Sequence, residues 1–394
     1  MWSGHEYLGP ESMALRNAWA GFAGILCVFT LAALHAEADT KRQGESVLLV
    51  ANCGGEKAAG DALKKAALAF SSEVKLLDVH PILKYQGKLP PPEARAMAAA
   101  HKKVNKAALA IRKRVKALAK PEPSLIIIVG GESDVPPFVL TFTYEKGDKR
   151  KEQVFSDYPY SDLWQRGNFG PALVRIPTPA ADAVPVLERP GWVSHLKSAY
   201  LCTLHALNDR VAEVLQGKNV EGITSTRGEG VRLDLLDGQS LLLFQGHGGP
   251  QGYADPISLR WNNIPSLRDG PLVVLAGCST AAPGSSIVRQ FLKQGAAGVL
   301  GTTSMAHGVY ECGYWPLLWE LLGQLSAETD QPFPIVLNGA KRDAIREKEC
   351  EPKLKALLGA KSLSIRCDTW QEAYHIIGVL QFQYYGAPQF TLKP

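Results

Sequence analysis

Residues 240–249 read Ser-Leu-Leu-Leu-Phe-Gln-Gly-His-Gly-Gly, and residues 271–279 read Pro-Leu-Val-Val-Leu-Ala-Gly-Cys-Ser. Each is a short, unbroken apolar run that ends in a glycine followed by one reactive side chain, His247 or Cys278. Such a run, with no polar alternation, is what a strand buried on both faces looks like. Strands of that kind belong to parallel sheets covered by helices, where ligand sites collect beyond the carboxyl ends of the strands. Two of them side by side would bring a histidine and a cysteine into one crevice.

The pattern repeats outward. Residues 46–51, 74–79 and 125–130 are further apolar strand runs, with amphipathic helices expected over 56–71 and 93–119. This βαβαβ order implies a mainly parallel sheet with helices on its faces. Residues 131–171, rich in Pro, Gly, Asp and Tyr, read as irregular, and 173–176 as a short strand. Residues 192–216 are predicted as one helix that ends at Gly217. After the strands at 240–245 and 271–276 come a helix at 287–293, a strand at 297–301, and helices at 314–325, 336–348 and 370–383. Pro179, Pro185 and Pro190 mark a boundary, so the expected halves are 39–185 and 186–394.

Composition narrows the class. The chain has 394 residues, 46% hydrophobic and 21% charged, which excludes low-complexity and disordered chains. The net charge of +5 points to no particular partner. Basic residues concentrate between Lys102 and Lys120, but Val104, Ala108, Ile111 and Val115 recur there at helical spacing. The lysines therefore form the solvated side of a helix. No aromatic residues interleave with them, so no nucleic-acid partner is expected.

Residues 18–34 are almost wholly apolar and uncharged, Arg16 precedes them, and Ala36-Glu37-Ala38 follows. That is the layout of a signal peptide over residues 1–38, with Met13 a plausible true start. It implies a secreted or periplasmic protein whose one membrane contact would be an uncleaved leader. Cys27 lies inside this segment. The other cysteines, Cys53, Cys202, Cys278, Cys312, Cys350 and Cys367, show no zinc spacing, so no metal is expected. Cys350 and Cys367 flank a short charged segment and are a candidate disulfide pair in an exported protein.

The chemistry rests on His247 and Cys278. A lone histidine after a strand is ordinarily a satisfied polar group, and a lone cysteine is ordinarily core. Found together, each directly after a strand and a glycine, they read as a catalytic dyad. A thiolate nucleophile needs an imidazole neighbour. The glycines beside His247 leave backbone free to approach a substrate and to offer N–H groups to an oxyanion.

Leu243–Gly249 and Val274–Ser279 resemble the His-Gly and Cys motifs of gingipain-type cysteine peptidases, relatives of caspases, legumain, separase and clostripain. Val129–Pro137, Ser156–Ser161, Ala172–Ile176 and Tyr385–Pro388 resemble further segments of that family, so the likeness covers about residues 125–392. The resemblance implies a caspase-like three-layer α/β/α fold in two side-by-side subdomains and an endopeptidase that needs no cofactor and acts on protein or peptide substrates. It implies Cys278 as nucleophile, His247 as the proton carrier, and Gly248 with the N–H of Cys278 as the oxyanion site. Asp157 matches an acid that binds a basic P1 side chain. Glu132, ahead of Asp134, would orient His247.

The chain departs from the family pattern at Ala387, Val174 and Gly249. These departures leave the basic P1 preference open. A peptide-binding module without activity, and a peptidase serving a single partner, are the alternative readings. Trp261, Asp255, His307 and Trp315 are weaker candidates for lining the cleft, since each also suits an ordinary core or loop role.

Overall fold

The computed structural model describes residues 46–83, 98–146, 148–188, 193–203, 207–217, 220–227, 230–307, 313–325, 330–360 and 363–393. Residues 1–38, for which a signal peptide is expected, lie outside them, as do Cys27 and Cys312.

The first half of the chain builds β1 (Ser46–Ala51), α1 (Lys57–Ala67), β2 (Glu73–Asp78), α2 (Ala98–Leu118) and β3 (Leu125–Val129). It continues through β4 (Phe138–Lys146), β5 (Asp148–Ser156), α3 (Tyr158–Ser161), β6 (Ala172–Ile176) and α4 (Ala180–Glu188). The second half begins with β7 (Val193–His195), β8 (Ser198–Thr203), α5 (Leu207–Gln216), β9 (Gly222–Arg227) and β10 (Leu241–Gly246). There follow β11 (Gly248–Gly249), β12 (Gly252–Tyr253), β13 (Leu272–Gly277), α6 (Ser286–Lys293), β14 (Gly298–Thr302) and α7 (Trp315–Leu325). The last elements are α8 (Phe333–Glu347), α9 (Glu351–Gly359), β15 (Ser364–Arg366), α10 (Trp370–Gln381), β16 (Phe382–Gly386) and β17 (Thr391–Lys393).

Ten strands join one sheet in the order β2-β1-β3-β6-β16-β14-β13-β10-β8-β9. Strands β2, β1, β3 and β6 are mutually parallel, and so are β14, β13, β10, β8 and β9. Between the two blocks lies β16, antiparallel to β14 over five residue pairs and touching β6 at one pair, Tyr385 with Arg175.

The unbroken apolar runs are explained by burial on both faces. Leu242, Phe244, Val273 and Leu275 point into a core that α6 closes with Ile287, Val288 and Phe291. Leu241, Leu243, Val274 and Ala276 point the other way, into the larger core that α7, α8 and α10 supply with Leu317, Leu321, Ala340 and Ile376. Each fully buried Leu, Ile or Phe stabilises the fold by about 1.5–3 kcal/mol relative to exposure, so these strands hold the middle layer. On α2, Val104, Ala108, Ile111 and Val115 are all buried while Lys102 and Lys103 are exposed, as the helical spacing requires.

Several stretches differ from the sequence reading, among them β9, α9 and β16, which it did not contain. Residues 192–216 are not one helix but β7, β8 and α5; Tyr200, Leu201 and Cys202 are buried strand residues between β9 and β10. The apparent irregular stretch holds the hairpin β4–β5, whose inward side chains Phe138, Leu140, Phe142 and Tyr144 alternate at strand spacing. Its charged tip, Glu145 to Lys151, masks that alternation. The proline-rich boundary contains helix α4, with Pro185 inside it.

Candidate active site

The site grows from two strand ends. In the β10–β13 pair Leu241 aligns with Leu272, and the register runs without a slip to Gly246 aligned with Gly277. Parallel neighbours stand about 4.8 Å apart, so His247 and Cys278 leave adjacent strands at the same level.

Bulk is excluded where the two exits touch. A Cβ on Gly277 would lie 2.6 Å from the Tyr253 ring and 2.9 Å from the carbonyl oxygen of Gly246. A Cβ on Gly248 would lie 2.7 Å from Thr280 Cγ2 and 3.2 Å from Gly277 Cα. Only glycine lets the two turns pack this closely. Beyond His247 the chain forms the β11–β12 hairpin, and the Pro250 carbonyl accepts the N–H groups of Ser286 (2.9 Å) and Ile287 (3.1 Å) at the start of α6. The histidine hairpin and the helix after the cysteine are thus bonded to each other.

The cysteine turn is stitched on its other side to the end of β14. Ala281 N–H donates to Thr302 O at 2.7 Å, and Ser279 N–H to Ser304 O at 2.7 Å. Ser279 takes a positive φ of 54°, a conformation disfavoured for a side-chain-bearing residue and held here by those bonds. Thr302 Oγ1 donates to Gly277 O, and Thr280 Oγ1 to Leu275 O at 2.9 Å. Cys278 itself is half-buried, and its Sγ accepts the Ala306 N–H at 3.4 Å. His247 is exposed, and its ring makes no hydrogen bond to a described residue.

The other expected residues are placed differently. Asp157 requires correction as a P1 acid. It is buried, and both its oxygens are taken by Arg175, with Nε–Oδ2 at 2.9 Å and Nη2–Oδ1 at 2.7 Å. Arg175 also donates to the Gly130 carbonyl at 3.3 Å. Burial alone would lower the Arg175 guanidinium, but the Asp157 carboxylate outweighs it and holds the group above its ordinary value. A substrate cation would have to compete with the Arg175 guanidinium for this carboxylate.

Glu132 does not orient His247 either: its Oε2 accepts the Gly284 N–H at 3.1 Å, bracing the loop between Cys278 and α6. Asp134 is occupied by Gly131 N–H (3.0 Å) and Asn52 Nδ2 (3.3 Å). Asp255 is exposed and accepts a hydrogen bond from Ser258 Oγ within its own turn. Trp261 is 41% exposed, and its N–H is tied to Gln251 O (2.9 Å) in the hairpin that follows His247. Trp315 is core, packed against Trp319 with ring centroids 5.6 Å apart. Cys350 and Cys367 are buried free thiols; burial pushes each up to about 12.

Several residues near the dyad escape sequence reading. Met305, next to the amide that meets Sγ, is 52% exposed although apolar. Gln245 Oε1 and Tyr314 Oη are buried, and neither meets full hydrogen-bond geometry among the described residues. Gln245 lies two residues before His247, and the Tyr314 hydroxyl is pushed above its ordinary range by burial, opposed by its interaction with Gln245 and helped by a smaller push from Cys278. Tyr253, fully buried beneath Gly277, donates to Phe244 O at 3.1 Å. No group of metal-ligating side chains occurs among the described residues.

No family model matches the sequence, and no curated protein matches it. Solved structures do match. The complex of Porphyromonas gingivalis RgpB pro- and mature domains superposes with a TM-score of 0.59 over 88% of this chain and 79% of that chain, at 13% identity. The Arg specific cysteine proteinase gingipain R superposes with a TM-score of 0.59 over 89% and 78%, at 12% identity. A third structure, of a protease, gives 0.52 over 88% and 78%, at 13% identity. Likeness at this identity is likeness of fold, and on that basis the chain has the caspase-like α/β fold of the gingipain cysteine proteinases.

Proposed function

We propose that this chain is a cysteine endopeptidase in which Cys278 is the nucleophile and His247 the proton carrier. The observation that carries the reading is the Gly246–Gly277 register pair, which releases both side chains from neighbouring strands at one level. The Cys278 thiolate attacks the carbonyl carbon of the scissile bond. The N–H groups of Gly248 and Cys278 hold the oxyanion. As the C–N bond breaks, the His247 imidazolium gives its proton to the leaving amine. Water then attacks the thioester, His247 takes its proton, and the C–S bond breaks to restore the thiolate. None of these steps calls for a cofactor. An exposed His247, free of the thiol, suits a group that meets the leaving amine.

The substrate is a protein or peptide, and the apolar segment at 18–34 supports a secreted or periplasmic location. With Asp157 held by Arg175, we do not assign a basic P1 preference to it. Trp261 is the side chain best placed to wall the cleft on the histidine side.

The test is labelling of the protein from residue 39 onward with peptidyl electrophiles bearing Arg, Lys, Asp, Asn or Leu at P1. Stoichiometric labelling at Cys278, lost in Cys278→Ala and slowed in His247→Ala, is the expected result. A folded, reduced protein that no probe labels would overturn the peptidase reading.

A further inference from the structure

Cys278 faces a loop anchored by residues outside the dyad. Residues 303–307 follow β14 and run past the cysteine turn, with Ala306 N–H directed at Sγ. One end of this loop is fixed beside the sheet. Thr303 N–H donates to Gln381 O at 3.0 Å, Ser304 Oγ to Gln381 Oε1 at 3.0 Å, and Thr303 Oγ1 to the Phe155 carbonyl.

The other end is held by the His307 side chain and by its carbonyl, which accepts the Tyr314 N–H at 3.4 Å. His307 is buried, and its Nε2 lies 2.6 Å from Glu152 Oε2 on β5. Its ring stacks on Tyr374 of α10 with centroids 3.5 Å apart and planes 7° apart. Glu152 also accepts from the Tyr144 hydroxyl on β4. Burial would push Glu152 upward, but His307, Tyr144 and Arg150 together hold it below the usual carboxylate range, so it is anionic near neutral pH. An anionic Glu152 accepts from Nε2–H whether His307 is neutral or charged. The hairpin β4–β5 and α10 thereby hold a residue that directly follows the amide at the thiol.

We infer that Glu152 and His307 are positioning residues for Cys278: they pin the 303–307 loop so that the Ala306 N–H is aimed at Sγ and favours the thiolate. A hydrogen bond donated to an anion is stronger than one to its neutral form. A fixed donor therefore supports the attacking sulfur anion, as helix N-termini and nearby cations do elsewhere. A merely structural pair would stabilise the hairpin and leave the thiol unchanged.

This inference rests on Cys278 being the nucleophile, and its test needs no turnover. The full chain is alkylated with iodoacetamide across a pH series, with Cys278→Ala defining the background from the buried thiols. The Cys278 profile is compared with those of His307→Ala, Glu152→Ala and His307→Gln. The two alanine variants are expected to alkylate at Cys278 about tenfold more slowly at neutral pH. His307→Gln, which keeps an N–H within reach of Glu152, is expected to restore most of the difference. Ala306→Pro, which removes the donor itself, should reproduce the loss and serves if His307→Ala does not fold. An acidic wild-type thiol with an unchanged profile in the folded variants would overturn this inference alone. A wild-type thiol no more acidic than a free cysteine would overturn it together with the dyad.

Discussion

Gly246 on β10 and Gly277 on β13 stand opposite each other in register, as the last residues of two neighbouring parallel strands. Everything reactive in the site follows from that pairing. A slip of one residue would turn the side chains of one strand to the opposite face and separate the two exits.

The first prediction separates the two members of the dyad. Cys278→Ala should abolish cleavage and labelling. His247→Ala should lower kcat/KM on an amide substrate by about 10²–10⁴-fold, the usual range for a lost general acid. It should lower kcat/KM on a thioester, which reports acylation alone, much less, because a thiolate leaving group needs no proton. Parallel assays of the two substrate types check this, and equal losses would assign His247 a different task.

Gly277→Ala should be among the more damaging single-methyl changes in the chain. The added carbon meets the Tyr253 ring and the Gly246 carbonyl at sub-contact distance, and backbone cannot yield as a flexible side chain can. Overpacking of this kind costs about 1–3 kcal/mol, and here it should also push the two exits apart. Thermal melting and the alkylation rate of Cys278 should fall together. A stable variant with an undisturbed thiol would contradict the close approach.

Asp157→Asn should act on stability before specificity. It leaves Arg175 charged and only 1% exposed without its bidentate partner. Breaking one side of a buried pair costs about 3–5 kcal/mol. Chemical denaturation should show the loss, and the P1 ranking of whatever folded protein remains should match the wild type. A wild-type denaturation midpoint with an altered P1 ranking would return Asp157 to the substrate pocket.

Tyr314→Phe should be nearly neutral or slightly stabilising. The hydroxyl it removes is buried, and its interaction with Gln245 falls short of full hydrogen-bond geometry, a condition that costs about 1–3 kcal/mol where it occurs. A denaturation midpoint well below the wild type would show that the hydroxyl has a partner after all.

The Glu152–His307 pair predicts a pH signature. The folded-state Glu152 is depressed, so its stabilising contribution is present above the unfolded carboxylate range, near pH 4.5, and is lost as pH falls through the folded value. The difference in melting temperature between the wild type and Glu152→Gln should therefore be full at pH 6–7 and shrink in acid. A difference that grows on acidification would reverse the assigned direction.

Strands β10, β13 and β14, and the placement of His247 and Cys278 at two of their ends, were legible in the sequence because both depend on local pattern: a buried run, a glycine, a reactive side chain. Strand β8 was not, since Tyr200-Leu201-Cys202 lies in a stretch that helix-favouring residues dominate. The hairpin β4–β5 was obscured by the charges at its tip, and with it Glu152, whose importance comes from a contact with His307 across 155 positions. Asp157 misled for the same reason. Its motif is local, but its partner Arg175 lies on another strand, and no spacing rule distinguishes an acid that waits for a substrate from one already paired.

Strand β16 has a consequence for how the molecule is assembled. It is the seam between the two parallel blocks, yet it is drawn from residues 382–386, far along the chain from both β6 and β14. A nascent chain emerging from the ribosome can complete each block separately but cannot weld them until those residues are free. Nucleation within a block is short-range, whereas closure waits on contacts of very long sequence separation, the slow class of folding step. Until that closure the edges of β6 and β14 are open to pairing with other chains.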